Sequence, residues 1–253
     1  MSSGKDVSVD VRDNHVAIVE FNRPPNNFFD AELIGELADA YERLDDDSSC
    51  RTIVLCSAGK HFCAGANFAD ENAAATGSLY QNAVRLFAAH TPVVAAVQGA
   101  AVGGGLGVAL SADFRVASPE SRFAANFSRL GIHHGFGLTV TLPRVVGQQR
   151  ALELLYTGAR LRGEEAHAIG LCDRLVPAER LRDEAIAVAA EIALSAPLAV
   201  RSIRATMRGD LAQRVREATE REASEQAKLF ATGDFREGVA AATERRPPKF
   251  TGA

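Results

Sequence analysis

The stretch VQGAAVGGGLGVALSAD, residues 97–113, decides the fold, because a glycine cluster joins an apolar run to a helix-like run. Four of the five residues in GGGLG (103–107) are glycines. Glycine lowers helix propensity and loses more conformational entropy on ordering than other residues, so a cluster here needs a reason. Three reasons are usual: a left-handed turn, close backbone packing, or backbone N–H groups presented to a ligand. The stretch by itself leaves all three open.

The composition is that of an ordinary globular chain. Its 253 residues predict one or two domains, and 47% hydrophobic with 24% charged residues is typical of soluble proteins. A net charge of -4 gives no basic footprint, so we expect neither nucleic acid nor a membrane as a partner. The cysteines have neither CxxC nor zinc-site spacing, and the polar N-terminus lacks the apolar segment of a signal peptide. We therefore expect a cytoplasmic enzyme or binding protein without a metal site.

Apolar runs alternate with helix-period segments over the first part of the chain. The runs typical of buried strands are VAIVEF (16–21), TIVLC (52–56), VVAAV (93–97) and FRVAS (114–118). Between the first two, AELIGELADAYERL (31–44) places apolar residues on one helical stripe, formed by Leu33, Leu37, Ala40, Tyr41 and Leu44. Asp30 precedes it as an N-cap. This alternation predicts an α/β fold with mostly parallel strand pairing.

After Gly147 the strand signal fades and amphipathic helices dominate, with the short apolar run CDRLV (172–176) as the exception. We divide the chain into an α/β core over residues 1–195 and a helical C-terminal part over residues 196–253. A helical segment that cannot bury its own apolar face commonly packs on a neighbouring chain. The C-terminal part is therefore predicted to mediate oligomerisation.

A second turn rich in small residues, SAGKHFCAGANF (57–68), follows the strand-like run TIVLC. Two such turns after two strands can aim two backbone N–H groups at one point, the arrangement of an oxyanion hole. Tight turns selected only for packing are the alternative, and they would explain either motif alone. The glycine cluster matches neither a dinucleotide fingerprint nor a P-loop, and the chain has no G-x-S-x-G elbow.

Six segments, in this order, resemble the crotonase (enoyl-CoA hydratase/isomerase) superfamily. They are FNRPPNN (21–27), GKHFCAGANF (59–68), PVVAAVQGAAVGGGLGVALSADFRVAS (92–118), RLGIHHGFGLTVTLPRVVG (129–147), ALELLYTGARLRGEEAHAIGLCDRLVP (151–177) and EGVAAATERRPPKF (237–250). The resemblance implies a crotonase-like α/β fold, a spiral of β-β-α units with a helical C-terminal trimerisation part. It also implies a homotrimer or hexamer (dimer of trimers). The implied ligand is an acyl-CoA thioester, with coenzyme A as part of the substrate and no permanently bound cofactor.

The same resemblance assigns residues to the ligand. The two oxyanion donors carry over to the backbone amides of Ala66 and Gly104. Positions that contact coenzyme A in the family carry over to Arg23, Asn27, Ala64, Ala66, Asn67 and Phe68, where Asn67 replaces the usual aspartate. Near the C-terminus, Arg245, Lys249 and Phe250 resemble residues that reach a CoA, often that of a neighbouring subunit. A solvated surface role is the alternative for the charged residues of this set.

Two positions depart from the hydratase pattern. Hydratases of this superfamily use one glutamate to activate water and a second to exchange a proton with the α carbon. The corresponding positions here are Gly107 and Phe127, and neither side chain can move a proton. We therefore do not expect ordinary enoyl-CoA hydration. Gly107 and Phe127 also predict a substrate pocket that is more apolar than that of a hydratase.

The histidine pair in GIHHGFG (131–137) is the nearest titratable group in sequence, and histidine moves protons near neutral pH. In relatives, an aspartate stands at the place of Gly135 or a tyrosine at that of His134. His134 is the first candidate for a catalytic role and His133 the second; a hydrogen-bonded loop pair without chemistry is the alternative. The expected activity is that of the enoyl-CoA hydratase/isomerase family, as decarboxylation, isomerisation or thioester hydrolysis assisted by His134. A non-catalytic acyl-CoA-binding protein is the competing hypothesis.

Overall fold

The computed structural model describes residues 2–3, 5–67 and 76–253. Its strands are β1 (Ser2–Ser3), β2 (Val7–Val11), β3 (Val16–Phe21), β4 (Thr52–Ser57), β5 (Val93–Val97), β6 (Ala100–Val102), β7 (Phe114–Ala117), β8 (Arg122–Ala124), β9 (Arg160–Arg162) and β10 (Arg174–Leu175). Its α-helices are α1 (Ala31–Asp46), α2 (Thr76–Ala88), α3 (Gly104–Ser111), α4 (Leu138–Val146), α5 (Gln148–Thr157), α6 (Gly163–Ala168), α7 (Leu181–Ala193), α8 (Pro197–Arg208), α9 (Leu211–Phe230) and α10 (Gly233–Glu244).

The main sheet has the order β1-β2-β3-β4-β5-β7-β10. Strands β1, β2 and β3 pair antiparallel with their neighbours in that order, and every pair from β3 through β4, β5 and β7 to β10 is parallel. This confirms the predicted mostly parallel α/β fold. Strands β3 and β5 have the predicted bounds, because unbroken runs of β-branched and small apolar residues mark strands that are buried on both faces. Alternate residues face opposite sides, so Ile18 packs toward α7 while Val19 joins the larger core.

Helix α1 confirms the predicted stripe and N-cap. The Asp30 carboxylate accepts the Leu33 amide at 2.9 Å, which satisfies one of the donors that every helix leaves unpaired at its start. All five apolar stripe residues are buried against the sheet and α2.

A second sheet of three short strands, β6-β8-β9, was not predicted. Each strand has three residues, too few for a hydrophobic period to be visible in the sequence. Strand β6 of this sheet connects β5 to the glycine cluster. It therefore fixes where helix α3 begins.

The C-terminal helices pack on the core as well as on one another. Helix α9 contacts α2 and α4, and α10 contacts the 3-10 turn at residues 126–130. Within the described ranges, no single helix is long and apolar enough to cross a membrane, although residues 178–193 and 197–208, bent by 105°, pass that test as a pair. The division at residue 195 and the oligomerising role of residues 196–253 stay predictions.

Candidate active site

A cavity of about 300 Å³ lies where the two small-residue turns, α2 and the C-terminal helices meet. Its described lining is mostly apolar, with a few polar side chains. The lining residues that carry the argument are Phe29, Ala64, Ala66, Asn67, Tyr80, Gly104, Asn126, Phe127, Gly135, Phe136 and Gln226. Parts of the chain as distant as Phe29, just before α1, and Gln226 on α9 therefore build one site.

The three consecutive glycines of the cluster serve three different purposes. Gly103 has φ +57°, a backbone conformation that side chains disfavour. A Cβ on Gly104 would lie 2.3 Å from Phe29 Cζ, and a Cβ on Gly105 would lie 2.3 Å from the Cys63 carbonyl oxygen. The first glycine makes the turn, while the next two allow an aromatic ring and another backbone to approach α3.

Ala66 and Gly104, whose backbone amides are the predicted oxyanion donors, both line this cavity. In the described part of the chain, neither amide donates a hydrogen bond to another residue. Gly104 is the first residue of α3, where N–H groups have no partner within the helix and the helix dipole favours negative charge. Gly65, with φ +96°, turns the other loop so that Ala66 follows it at the cavity wall. The residues of both predicted donors, from separate turns, thus line one cavity.

Aromatic rings lie beside Gly107 and at Phe127, the two positions that the resemblance assigns to the hydratase glutamates. A Cβ on Gly107 would lie 2.6 Å from Phe136 Cδ1 and 2.7 Å from Phe136 Cβ, so the phenylalanine fills that side-chain volume. Phe136 packs edge to face against Phe29 with ring centroids 5.5 Å apart. Phe127 lines the cavity and is almost fully buried, whereas Gly107 is covered by Phe136 and does not line it.

The histidine pair lies behind this wall and not among the described lining residues. The two rings stack with centroids 4.1 Å apart, and His134 meets Phe127 edge to face. His133 Nδ1 donates to the His134 carbonyl oxygen at 2.8 Å, and His134 Nε2 lies 2.8 Å from Thr139 Oγ1. Burial and the neighbouring His133 lower the pKa of His134 to about 4, so its imidazole is neutral at neutral pH.

A buried carboxylate anchors this loop. Glu222 of α9 is fully buried and accepts the amides of Gly137 and Thr139 and the Thr139 hydroxyl, at 2.6 to 3.0 Å. Because the Thr139 proton points to Glu222, the Thr139 oxygen must accept the Nε2 proton of His134. Burial raises the pKa of Glu222. Glu222 therefore caps the start of α4 and fixes the tautomer of His134.

The predicted CoA contacts from the N-terminal half fall into two groups. Ala64, Ala66 and Asn67 line the cavity together. Arg23 instead pairs with Asp6 at 2.6 Å and Asp30 at 2.5 Å.

Asn27, also predicted to contact CoA, is buried. Its side chain donates to the carbonyl oxygens of Ala58 and His61 and accepts the amide of Arg23. Its side chain thus joins two loops. Phe68 lies outside the described residues.

The C-terminal residues predicted to reach a CoA lie away from the described cavity lining. Arg245 ends α10 in a left-handed conformation, and the Lys249 amide donates to Glu237 at 2.6 Å. Phe250 is 41% exposed. For these residues the contact with a ligand stays a prediction.

The lining residues that were not identified from the sequence include two polar ones, Tyr80 on α2 and Gln226 on α9. The Tyr80 hydroxyl donates to Gln226 Oε1 at 2.7 Å, and Gln226 Nε2 donates to the His133 carbonyl oxygen at 2.9 Å. Tyr80 lies on a helical stripe without a motif, so no sequence signal marks it. Only the packing of α9 against α2 brings the pair to the cavity.

Comparison with known proteins shows the family of this chain. Residues 11–253 match the family model described as enoyl-CoA hydratase/isomerase. Crotonyl-CoA hydratase of Syntrophomonas wolfei is 35% identical over 94% of this chain and 95% of its own length. The 1,2-epoxyphenylacetyl-CoA isomerase of Escherichia coli is 32% identical over 94% and 95%, respectively.

A solved structure leads to the same conclusion. The crystal structure of an enoyl-CoA hydratase/isomerase from Pseudoalteromonas atlantica superimposes with a TM-score of 0.87 at 32% identity, covering 98% of this chain and 100% of that one. The predicted crotonase-like fold is thereby confirmed. This chain belongs to the enoyl-CoA hydratase/isomerase family.

Proposed function

We propose that this chain is an enzyme that binds an acyl-CoA thioester and stabilises its enolate with the amides of Ala66 and Gly104. The observation that carries the proposal is that Ala66 and Gly104, from two turns, line one apolar cavity, while within the described residues their N–H groups donate to no other residue. Donors fixed in place before reaction stabilise charge on a carbonyl oxygen more effectively than mobile water. The CoA part is supplied by the substrate and no resident cofactor is involved.

The reaction proposed is not ordinary hydration. Phe136 fills the volume next to Gly107, and Phe127 stands at the second glutamate position. Decarboxylation, isomerisation and thioester hydrolysis remain, and each passes through charge on the thioester oxygen. The aromatic lining favours hydrophobic acyl groups, because apolar surface is best buried against apolar surface.

His134 enters the proposal as an assisting group behind the wall. Its neutral imidazole is held by Thr139 and touches the edge of Phe127, so it orients the wall or accepts a proton after the loop rearranges. The competing function is a non-catalytic acyl-CoA binder. That reading is favoured by one observation: the described lining contains no carboxylate and no histidine.

The experiment incubates the protein with crotonyl-CoA, 2-methylmalonyl-CoA, phenylacetyl-CoA and benzoyl-CoA, and follows the products by mass spectrometry. Calorimetry with the same esters gives their affinities. Conversion of at least one ester supports the enzyme. Binding without conversion of any ester supports the binder, and no binding at all contradicts both.

The oxyanion donors are tested with a double variant, Gly104→Pro with Phe29→Ala, compared with Phe29→Ala alone. The proline removes the N–H, and the alanine removes the ring that a side chain at 104 would strike. Proline is well tolerated at the first position of a helix, so α3 should persist. Loss of one such donor costs about 3 kcal/mol of barrier, a slowing of about a hundredfold. Equal rates for the two variants, both folded by circular dichroism, would contradict the assignment of Gly104.

We also propose that the chain assembles into a homotrimer or a dimer of trimers through its C-terminal part. Helix α8 exposes Leu198, Ile203 and Met207, and a second cavity of about 480 Å³ opens beside it, partly lined by Phe114 and Leu110. Contiguous exposed apolar surface of this kind typically marks a protein interface.

A further inference from the structure

Tyr80 is the only titratable side chain among the described residues that line the cavity. The other polar groups there are amides and the Thr243 hydroxyl, none of which exchanges a proton near neutral pH. The site therefore offers a proton donor, while its described lining offers no carboxylate or imidazole base. Chemistry that needs only a donor fits this lining best.

The Tyr80 hydroxyl is held at a defined place. A carbonyl oxygen can only accept, so the His133 carbonyl fixes the amide of Gln226 with Nε2 toward itself and Oε1 toward Tyr80. The phenol is 7% exposed, so its position is set by packing as well. Gln226 is therefore a positioning residue for the phenol.

Gly135 supplies a second, independent observation. A Cβ on Gly135 would lie 1.9 Å from Tyr80 Oη and 2.8 Å from Gln226 Nε2. The phenol oxygen thus occupies the space that any side chain at 135 would need, at a position that itself borders the cavity. The cavity wall at Gly135 therefore carries no side chain of its own, and the Tyr80 hydroxyl lies there instead.

We propose that this site decarboxylates a 2-carboxyacyl-CoA with an apolar 2-substituent, and that Tyr80 delivers the proton to the α carbon. This inference rests on the proposed function, because it requires the enolate held by Ala66 and Gly104. Burial raises the pKa of the Tyr80 phenol, so the group carries its proton throughout the neutral range.

The step balances without a further reactant. The bond from the α carbon to the carboxylate breaks, CO₂ leaves, and the electron pair forms the enolate double bond while the thioester oxygen takes the charge. The Tyr80 hydroxyl, which donates to Gln226 before reaction, turns its proton to the α carbon; the O–H bond breaks, the proton bonds to that carbon, and the thioester carbonyl is restored. The phenolate regains a proton from water. An apolar cavity favours this course, because the cavity solvates the carboxylate of the substrate poorly and decarboxylation disperses that charge.

The test compares wild-type protein with Tyr80→Phe on 2-methylmalonyl-CoA and 2-benzylmalonyl-CoA in D₂O. The wild-type protein should release CO₂ and place one deuterium on a single face of the α carbon, as seen by NMR of the product. A general acid contributes about 10² to 10⁴ in rate, so Tyr80→Phe should lose at least a hundredfold in kcat with KM little changed. Deuterium in the residual product should then occupy both faces, because solvent protonates the free enolate.

Tyr41→Phe is the matched control. Tyr41 is also fully buried, its hydroxyl has no hydrogen-bond partner in the described part, and it lies outside the cavity lining. Its kcat should equal that of the wild-type protein. Gln226→Leu gives a second variant of the same pair: it leaves the phenol in place without its acceptor, and should lower kcat less than Tyr80→Phe does.

The outcomes separate this inference from the proposed function. Absence of CO₂ release from esters that bind would overturn the inference, while conversion of another ester would leave the proposed function standing. An unchanged rate and one-sided deuteration in Tyr80→Phe would show that Tyr80 is not the proton donor, while decarboxylation by this site would stand. Absence of acyl-CoA binding would remove the proposed function and the inference with it.

Discussion

Gly107 and Phe136 are complementary, because each fixes what the other position can hold. The Phe136 ring is buried and its Cβ and Cγ would lie 2.7 and 2.8 Å from a Cβ at 107. Those atoms are close to the backbone of Phe136, so they cannot swing away as the end of a long side chain can. An acidic residue at 107 would therefore need a different residue at 136.

Gly107→Ala is expected to destabilise the protein. Inserting a methyl group into a packed core costs about 1 to 3 kcal/mol, although alanine favours a helix over glycine. The measurement is the free energy of unfolding from urea titration. The dependence of that free energy on urea concentration should have the same slope in the variant and in the wild-type protein.

Gly77→Ala is the control for that substitution. Gly77 also lies in a helix, α2, but no described residue approaches its Cβ position within 4 Å. Its stability should be unchanged or higher by less than about 1 kcal/mol. A Gly107→Ala variant as stable as Gly77→Ala would mean that Phe136 yields easily and that the position is not closed to an acid.

The element that shapes the site is the loop between the 3-10 turn at residues 126–130 and helix α4. It has no regular structure of its own and is held by Glu222 and Gln226, both from α9. The N-terminus of α4 has no capping side chain in its own loop, and the buried Glu222 carboxylate takes that role. A C-terminal helix thus positions the cavity wall that carries Gly135 and Phe136.

His134→Gln should change how stability depends on pH. The unfolded imidazole binds a proton below its ordinary pKa of 6.5, whereas the folded ring does so only near pH 4. The unfolded state therefore gains protons first as the pH falls, and the wild-type protein loses stability between pH 6.5 and 4, by up to about 3 kcal/mol. Glutamine keeps a donor for Thr139 but does not titrate, so the variant should lose less. Urea unfolding at pH 7, 6, 5 and 4 measures the difference.

The same variant separates the two roles considered for His134. A histidine that takes part in chemistry predicts that His134→Gln lowers kcat on any converted ester at unchanged KM. A histidine that only holds the loop predicts unchanged turnover, because the bond to Thr139 survives. Equal pH dependence of stability in both proteins would mean that the imidazole is not buried as described.

For the whole molecule, the distribution of apolar surface is informative. Arg204 is the buried residue of α8, where it pairs with Asp113, while the large apolar residues of this helix face outward. This is the reverse of a helix that packs only on its own core. Leu194, just before the helix, is also apolar and is 88% exposed.

Ile203→Glu should therefore reduce the assembly state. A charge placed in an apolar interface loses its hydration without gaining a partner, so the subunits should separate. Sedimentation velocity measures the result, with Gln149→Glu as the control because it adds the same charge at an exposed site on α5. An unchanged sedimentation coefficient for Ile203→Glu would place the interface elsewhere.

The sequence by itself determined strands β3, β4, β5 and β7, the mostly parallel α/β class and the two small-residue turns. These follow from local rules: β-branched runs are buried in parallel sheets, a stripe of period 3.6 forms a helix, and glycine permits a tight turn. The resemblance also assigns Gly107 and Phe127 to the positions of the two hydratase glutamates, and that assignment stays a prediction. The three short strands could not be predicted, because three residues carry no period.

Only the tertiary structure decided which side chains line the cavity. Tyr80 and Gln226 are 146 residues apart, and no local pattern pairs a tyrosine with a distant glutamine. That Phe136, and no acidic group, occupies the space beside Gly107 depends on the path of a loop held by α9. Side-chain contacts across such separations result from the packing of whole elements, so the fold can be predicted from local sequence while the chemistry of the wall cannot.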